Sequence, residues 1–406
     1  MASKYNKEYD KESELSEMLY ELLKEKGFNF VSGVPCGVLK NFINKVNKDS
    51  DIIHIPAQNE PEAIAVTAGA YLAGKIPAVY MQNSGLLKST NEISSLLVPC
   101  KIPILGIVSY RGCRGETAPQ HSINGKITKS AIISLGLFNK EIREYTLEKT
   151  LNSACDFMAE KKLPAILLLK RKSMRREKIE VNDDEQRKEN SENKVYFDLN
   201  YLNNITSKIK DRRSDPEKKL KRENALDAII NSAKSDEAII STTGLISRSL
   251  YDRYDSENQF YNTGSFGMVS SIGLGFSISK PKKRTIVIDG DASLLSNFGS
   301  LITIAKQKPK NLTHIVIDNN AYGSCNEEAS CSDIANFPLV ASVLGYKTSY
   351  IVNTEKEIEN TINITRDIEG PHLIYINIEL GGRRDFKRPL NLEEIAARFR
   401  NYFNEV

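Results

Sequence analysis

The sequence predicts two doubly wound α/β domains, each on a parallel sheet, with no middle domain between them. Three observations carry this. At 406 residues the chain exceeds what one ordinary core organises, and two domains of about 150–200 residues each follow. Short continuous apolar runs alternate with helix-length segments, the pattern of strands buried on both faces. The two halves also repeat one order of elements, separated by a highly charged stretch.

The first domain, 10–175, opens on an amphipathic helix over Ser13–Lys26. Its strands are read at FNFVSGV (28–34), DIIHIPA (51–57), PAVYMQ (77–82), PILGIVS (103–109) and PAILLLK (164–170). The second, 220–406, opens on a helix over Arg222–Ala233. Strands follow at EAIISTTG (237–244), RTIVIDGD (284–291), LTHIVIDNN (312–320), YKTSYIV (346–352) and LIYINIEL (373–380). Between them, 176–219 is rich in Lys, Arg, Glu, Asp and Asn and reads as a charged, solvated linker. A short packed piece around VYFDLNYL (195–202) is the alternative within it.

Composition excludes several classes. The formal charge is only +4, with much of the basic excess in the central stretch, which argues against a nucleic-acid partner. The start has no apolar core of a signal peptide, and no window holds the roughly 18 apolar residues of a membrane span. A cytoplasmic protein without a membrane partner is expected. Six cysteines without a CxxC pair and four histidines outside ligand spacing argue against zinc sites and disulfide frameworks.

The chemistry is concentrated at strand ends. In VIDGDASLL (287–295), Asp291 ends one strand, and Asn319 ends the next, 28 residues on, about one strand–helix–strand crossover. Adjacent strand ends bring a carboxylate and an amide oxygen together. With the backbone carbonyl of Ala321 they make a face of hard oxygens suited to Mg²⁺. The N–H groups of Ala292 and Ser293 open a helix, expected to run through LLSNFGSLITIAKQK (294–308), and favour an anion. Capping of turns is the alternative for Asp291 and Asn319. Asp289 and Asp318 read as structural partners. In the first half, Glu60 starts an Ala-rich helix in AQNEPEAIAVTAGAYLAG (57–74), whose small residues Ala63, Ala65, Thr67, Ala68, Gly69 and Ala70 permit close packing. Glu62 is the competing carboxylate.

Gly290-Asp291-Ala292 followed by Asn319-Asn320 resembles the metal and diphosphate motif of the thiamine-diphosphate enzymes. Glu60, with Ala63 and Gly69 behind it, resembles their glutamate. SGVPCGVLKNF (32–42), YMQNSGLLKSTNEISSL (80–96), PQHSINGKIT (119–128), STTGLISRSLY (241–251), NTGSFGMVSSIGLG (262–275) and GGRRDFKRP (381–389) are together similar to the branch of phosphonopyruvate and sulfopyruvate decarboxylases. The likeness spans about 10–170 and 220–390. It implies a pyrimidine-binding first domain, a diphosphate-binding second domain, and thiamine diphosphate with Mg²⁺ as cofactors. The implied activity is decarboxylation of 3-phosphonopyruvate to phosphonoacetaldehyde and CO₂ in phosphonate biosynthesis. Sulfopyruvate or another 2-oxo acid is the alternative, and a catalytically silent cofactor-binding protein is the third reading. Because the sulfopyruvate enzyme is often split into two chains, the fused chain favours phosphonopyruvate.

Residue by residue, the resemblance implies that Glu60 activates the pyrimidine and that His121 donates a proton. Asn83, Ser84 and Gly85 would flank the reacting centre. Gly264 would offer its carbonyl to the cofactor's amino group, and Phe266 would wedge the cofactor into a bend. Thr243, Gly244, Gly290, Ala292 and Ser293 would surround the diphosphate, and Asp291, Asn319 and Ala321 the metal. Pro35, Cys36 and Gly37 would receive the anionic end of the substrate, with Arg111, Arg114, Arg383, Arg384 and Arg388 as unranked cations. The family places its sites between subunits, so a homodimer or higher homo-oligomer is expected. The chain departs from the pattern at Ala292 (Gly in the family), Leu245 (Lys), Phe266 with Met268 (Met and His), and YGSCNEEAS (322–330). In that last stretch, Glu327 and Glu328 would oppose an anion unless turned away.

Overall fold

The computed structural model describes residues 15–113, 116, 118–170 and 220–404. The linker expected over 176–219 and the candidate Arg114 lie outside the described residues.

Two six-stranded sheets form, both parallel throughout. The first contains β1 (Phe30–Gly33), β2 (Ile53–Pro56), β3 (Pro77–Gln82), β4 (Leu105–Tyr110), β5 (Phe138–Glu141) and β6 (Ala165–Lys170), in the order β2-β1-β3-β4-β6-β5. The second contains β7 (Ala238–Ser241), β8 (Gln259–Tyr261), β9 (Thr285–Gly290), β10 (Leu312–Asp318), β11 (Thr348–Val352) and β12 (His372–Asn377), in the order β11-β12-β10-β9-β7-β8. Central strands are sealed on both faces; all of β10 is buried. That is why they read as unbroken apolar runs.

Two strands escaped the sequence reading. β5 is the half-polar FNKE and β8 only three residues long. Each lies at a sheet edge and pairs with one neighbour, β6 or β7, so it needs no continuous apolar run. The helix expected after Asp291 is in fact two, Asp291–Ser296 and Ser300–Gln307. The break falls at Asn297, whose side chain bonds outward, accepting from Asn59 Nδ2 at 3.2 Å and donating to Ser271 Oγ at 3.2 Å.

The halves meet through two helices of small residues, Glu60–Leu72 and Val269–Ser279. A methyl at Gly69 would stand 1.9 Å from the Ile272 carbonyl oxygen, and one at Gly275 1.9 Å from that of Val66. The backbones touch where both helices lack a side chain. No helix among the described residues is long and apolar enough to cross a membrane.

The strand orders fix where ligands go. In the first sheet the order of successive strands reverses between β1 and β3, and in the second between β7 and β9. Ligands of open parallel sheets sit in the crevice beyond the carboxyl ends of such strands. The loops after β1 and β3 carry Pro35–Gly37 and Asn83–Gly85, and those after β7 and β9 carry Thr242–Gly244 and Gly290–Ser293.

Candidate active site

The second half forms a cleft at its reversal point. Thr243, Gly244, Leu245, Phe266, Gly290, Asp291, Ala292, Ser293, Asn319 and Ala321 line it. It holds about 550 Å³ of space partly open to solvent, within the usual range of small-molecule clefts, about 300–1,000 Å³. Gly244 has φ +96°, a conformation that L side chains rarely adopt, and turns the chain back from β7 into the next helix. Thr243 Oγ1 donates to the Thr263 carbonyl at 2.8 Å and so ties this loop to the one carrying Gly264 and Phe266.

Asp291 is 3 % exposed and has no cation beside it among the described residues. The Ser330 hydroxyl donates to its carboxylate. Burial, and then the charge of Asp318, push its pKa up to about 6. Asp318 itself is consumed: it accepts from Tyr375 OH at 2.8 Å, Ser332 Oγ at 2.9 Å and the Asn320 N–H at 2.7 Å. Asp289 likewise accepts from Gly290 N–H at 2.8 Å and faces His314 Nε2 at 3.3 Å. Of the strand-end acids, Asp291 is thus the one that opens into the cleft. A buried carboxylate without a counter-cation, in a cleft that Asn319 and Ala321 also line, offers hard oxygens of the kind a divalent cation takes; Asn319 Oδ1 also accepts from the Ala321 N–H at 3.3 Å and the Ala321 carbonyl from the Gly323 N–H at 2.9 Å.

The first half gathers a second cluster beyond the ends of β1, β2, β3 and β4. Glu60 opens its helix, whose N-cap Asn59 accepts from the Glu62 N–H. A methyl at Gly85 would lie 2.3–2.4 Å from Glu60 Cγ, Cδ and Oε1, so the carboxyl group rests on the bare Gly85 backbone. Glu62 is fully buried, accepts from the Gln58 N–H at 2.8 Å, and has its pKa raised by burial. It is a sealed acid, whereas Glu60 is partly exposed. Asn83 spends its amide on structure, donating to the Arg111 carbonyl and to Thr128 Oγ1 and accepting from Arg111 N–H. It thereby holds the loop after β4 in place. The His121 backbone abuts Gly112 in that loop. Cys36 Sγ lies 3.1 Å from Ser109 Oγ at the end of β4. Ser84 accepts from Gln82 Nε2, and Pro35 and Gly37 are exposed.

The two clusters stay separate within one chain, for among the described residues none of the first half lines the Asp291 cleft. Among the described residues, Ser95 of the first half presses against Gly264 and lies 3.1 Å by its Oγ from Ser265 Oγ. Of the cations considered for substrate, Arg111 pairs with Glu116 and holds that carboxyl down to about 2. Arg383 pairs with Asp385, and Arg384 donates to the Gly323 and Cys325 carbonyls. Glu327 is paired with Arg384, outside the loop, at 3.2 Å, and Glu328 accepts from the Asn326 N–H within it.

Three residues went unnoticed in the sequence. Ser330 sits in the stretch that departs from the family pattern. Tyr322 places its ring 6.3 Å from that of Phe266. Arg222 lines the cleft but was hidden at the end of a basic run.

With this geometry in hand, comparison with known proteins is direct. Residues 13–131 match the N-terminal TPP binding domain of thiamine pyrophosphate enzymes, and residues 242–376 the C-terminal TPP binding domain. Phosphonopyruvate decarboxylase of Streptomyces viridochromogenes is 31 % identical over 380 residues, covering 93 % of this chain and 91 % of its own. Sulfopyruvate decarboxylase of Methanosarcina acetivorans is 28 % identical, covering 95 % and 96 %. In fold, the chain is similar to the thiamine diphosphate-dependent 4-hydroxybenzoylformate decarboxylase of Rhodococcus jostii RHA1, with a TM-score of 0.67 at 12 % identity, over 90 % of this chain and 99 % of that one. A relative of this identity over nearly the whole length, together with both domain matches, assigns the chain to the thiamine pyrophosphate enzymes, in the carboxy-lyase branch of the phosphonopyruvate and sulfopyruvate decarboxylases.

Proposed function

We propose that the chain decarboxylates 3-phosphonopyruvate to phosphonoacetaldehyde and CO₂, using thiamine diphosphate and Mg²⁺, as a step of phosphonate biosynthesis. The observation that carries this is the Asp291 cleft: a buried carboxylate lacking a cation, joined by Asn319 and Ala321, within a chain that matches a phosphonopyruvate decarboxylase over 93 % of its length.

In this reading 220–406 binds the diphosphate and 10–175 the pyrimidine, with 176–219 as a linker. Asp291, Asn319 and the Ala321 carbonyl would hold Mg²⁺; Thr243, Gly244, Gly290, Ala292 and Ser293 would surround the diphosphate. When bound, thiamine diphosphate supplies the nucleophilic carbon and the electron sink for loss of CO₂. Glu60 holds a proton at the pyrimidine end. Gly264 would offer its carbonyl to the bound molecule's amino group, and Phe266 would wedge it into a bend. Ser84 and Gly85 border the reacting centre, which Asn83 shapes by fixing the loop after β4. His121 carries a proton for the product carbon. Pro35, Cys36 and Gly37 take the substrate's anionic end. Since Glu60 stands outside the Asp291 cleft of its own chain, a second copy would bring its Glu60 to that cleft, making two sites in a homodimer.

A second reading, sulfopyruvate as substrate, has its own support. The Methanosarcina relative is a single chain matched over nearly its whole length, so fusion of the two halves does not favour phosphonopyruvate. Purified protein with cofactor and Mg²⁺ is to be offered both 2-oxo acids while the aldehyde products are followed. Phosphonoacetaldehyde formation is expected. Turnover of sulfopyruvate alone moves the assignment to the second reading, and turnover of neither by cofactor-loaded protein overturns both.

A further inference from the structure

Arg222 opens the helix Arg222–Ser232 and is only 5 % exposed. It lines the Asp291 cleft together with Gly244, Leu245 and Asn319. Its Nη2 donates to Glu223 Oε1 at 2.7 Å and to the Arg383 carbonyl, and its guanidinium lies 5.8 Å from the Phe386 ring centroid. Gly382, at φ +97°, passes so close that a methyl there would stand 3.2 Å from Nη2. The Nε atom is buried and has no hydrogen-bond partner.

A guanidinium cannot shed its proton in a protein, so burying one leaves a fixed charge with a rigid set of donors. Glu223 offsets part of that charge and the Arg383 carbonyl takes one donor. Both printed bonds use Nη2, and the buried Nε–H remains unpaired on a residue that lines the cleft. Leu245, at the helix start that borders the same cleft, gives it no cation.

We propose that Arg222 is an anion-binding residue of this cleft, with its guanidinium donating to the diphosphate of the bound ligand. The inference rests on the thiamine-diphosphate reading and adds a contact to it. The same side chain fastens the 382–386 segment, while Arg384 beside it fastens the Gly323–Cys325 turn on the other wall. Loading the cleft would therefore tighten both.

The test measures binding directly. Isothermal titration of the full-length protein with inorganic pyrophosphate, in Mg²⁺, and separately with thiamine diphosphate, is compared for wild type, R222M and R222K. A charge-assisted hydrogen bond to an anion is worth about 10- to 100-fold in affinity. R222M should lose that much for both ligands, and R222K should fall between. A folded R222M that binds pyrophosphate as tightly as wild type overturns the proposal and leaves Arg222 as a tether of the 382–386 segment. Should R222M fail to fold, R222K decides by the same criterion. Wild type that binds neither ligand overturns the cofactor reading itself, and this inference with it.

Discussion

Replacing Gly85 by alanine isolates the placement of one carboxyl group. The new methyl would stand 2.3–2.4 Å from Cγ, Cδ and Oε1 of Glu60. Carbon atoms in contact settle at about 3.5–4.0 Å, so the acid must retreat by roughly 1 Å or more. The obstacle is the end of a flexible side chain rather than backbone, and Gly85 lies within the helix Asn83–Lys88, outside the positive-φ residues. Alanine in a helix interior is favoured over glycine by about 1 kcal/mol, so the fold should be kept or slightly stabilised. A misplacement of about 1 Å in a catalytic group costs on the order of 10²-fold in rate. G85A should therefore melt at or above the wild-type temperature by calorimetry while kcat, at saturating cofactor, falls about 10²-fold. Glu60→Ala should make the second change nearly silent, because both act through one group. G85A with wild-type kcat refutes the reasoning, and so does an E60A/G85A double variant in which the losses multiply.

Three further outcomes follow from other parts of the structure. Gly69→Ala and Gly275→Ala each press a methyl onto backbone at 1.9 Å, so each should destabilise by about 1–3 kcal/mol or more in denaturant unfolding; unchanged midpoints would contradict the helix contact. Asp291 has its pKa raised to about 6, so between pH of about 4 and 6 the metal-free folded chain keeps a proton that the unfolded chain has lost. Stability therefore drops as pH rises through that window, D291N should escape the drop, and Mg²⁺ should raise the wild-type melting temperature near pH 7.5 far more than near pH 5. Equal Mg²⁺ shifts at both values count against Asp291 as a ligand. Finally, E60A and D291A chains, each strongly impaired alone, should recover about a quarter of wild-type activity when refolded together, since half the dimers are mixed and carry one intact site of two. No recovery, with mixed dimers present, argues for a site within one chain.

Much of the fold was legible locally. The ten strands expected from apolar runs are all present, because a strand covered on both faces must be apolar along its length. β5 and β8 were not legible, since an edge strand owes its conformation to the neighbour it pairs with. The break at Asn297 was invisible for a similar reason: its side chain answers Asn59, 238 residues earlier in the chain. Among candidate site residues, Glu60, Asp291 and Asn319 stood out by chemistry and position at strand or helix ends. Arg222 and Ser330 did not, because a basic run and a serine-containing loop look like solvated surface until folding buries them.

The sequence by itself determined two parallel α/β halves and the acids at their strand ends, because burial periodicity and residue chemistry act over a few neighbours. Only the tertiary structure decided which acid stays unpaired, which is sealed, and which glycine leaves room for a carboxyl group. Those outcomes depend on side chains brought together from distant segments, and on a packing density that leaves no space for an extra methyl where two backbones meet.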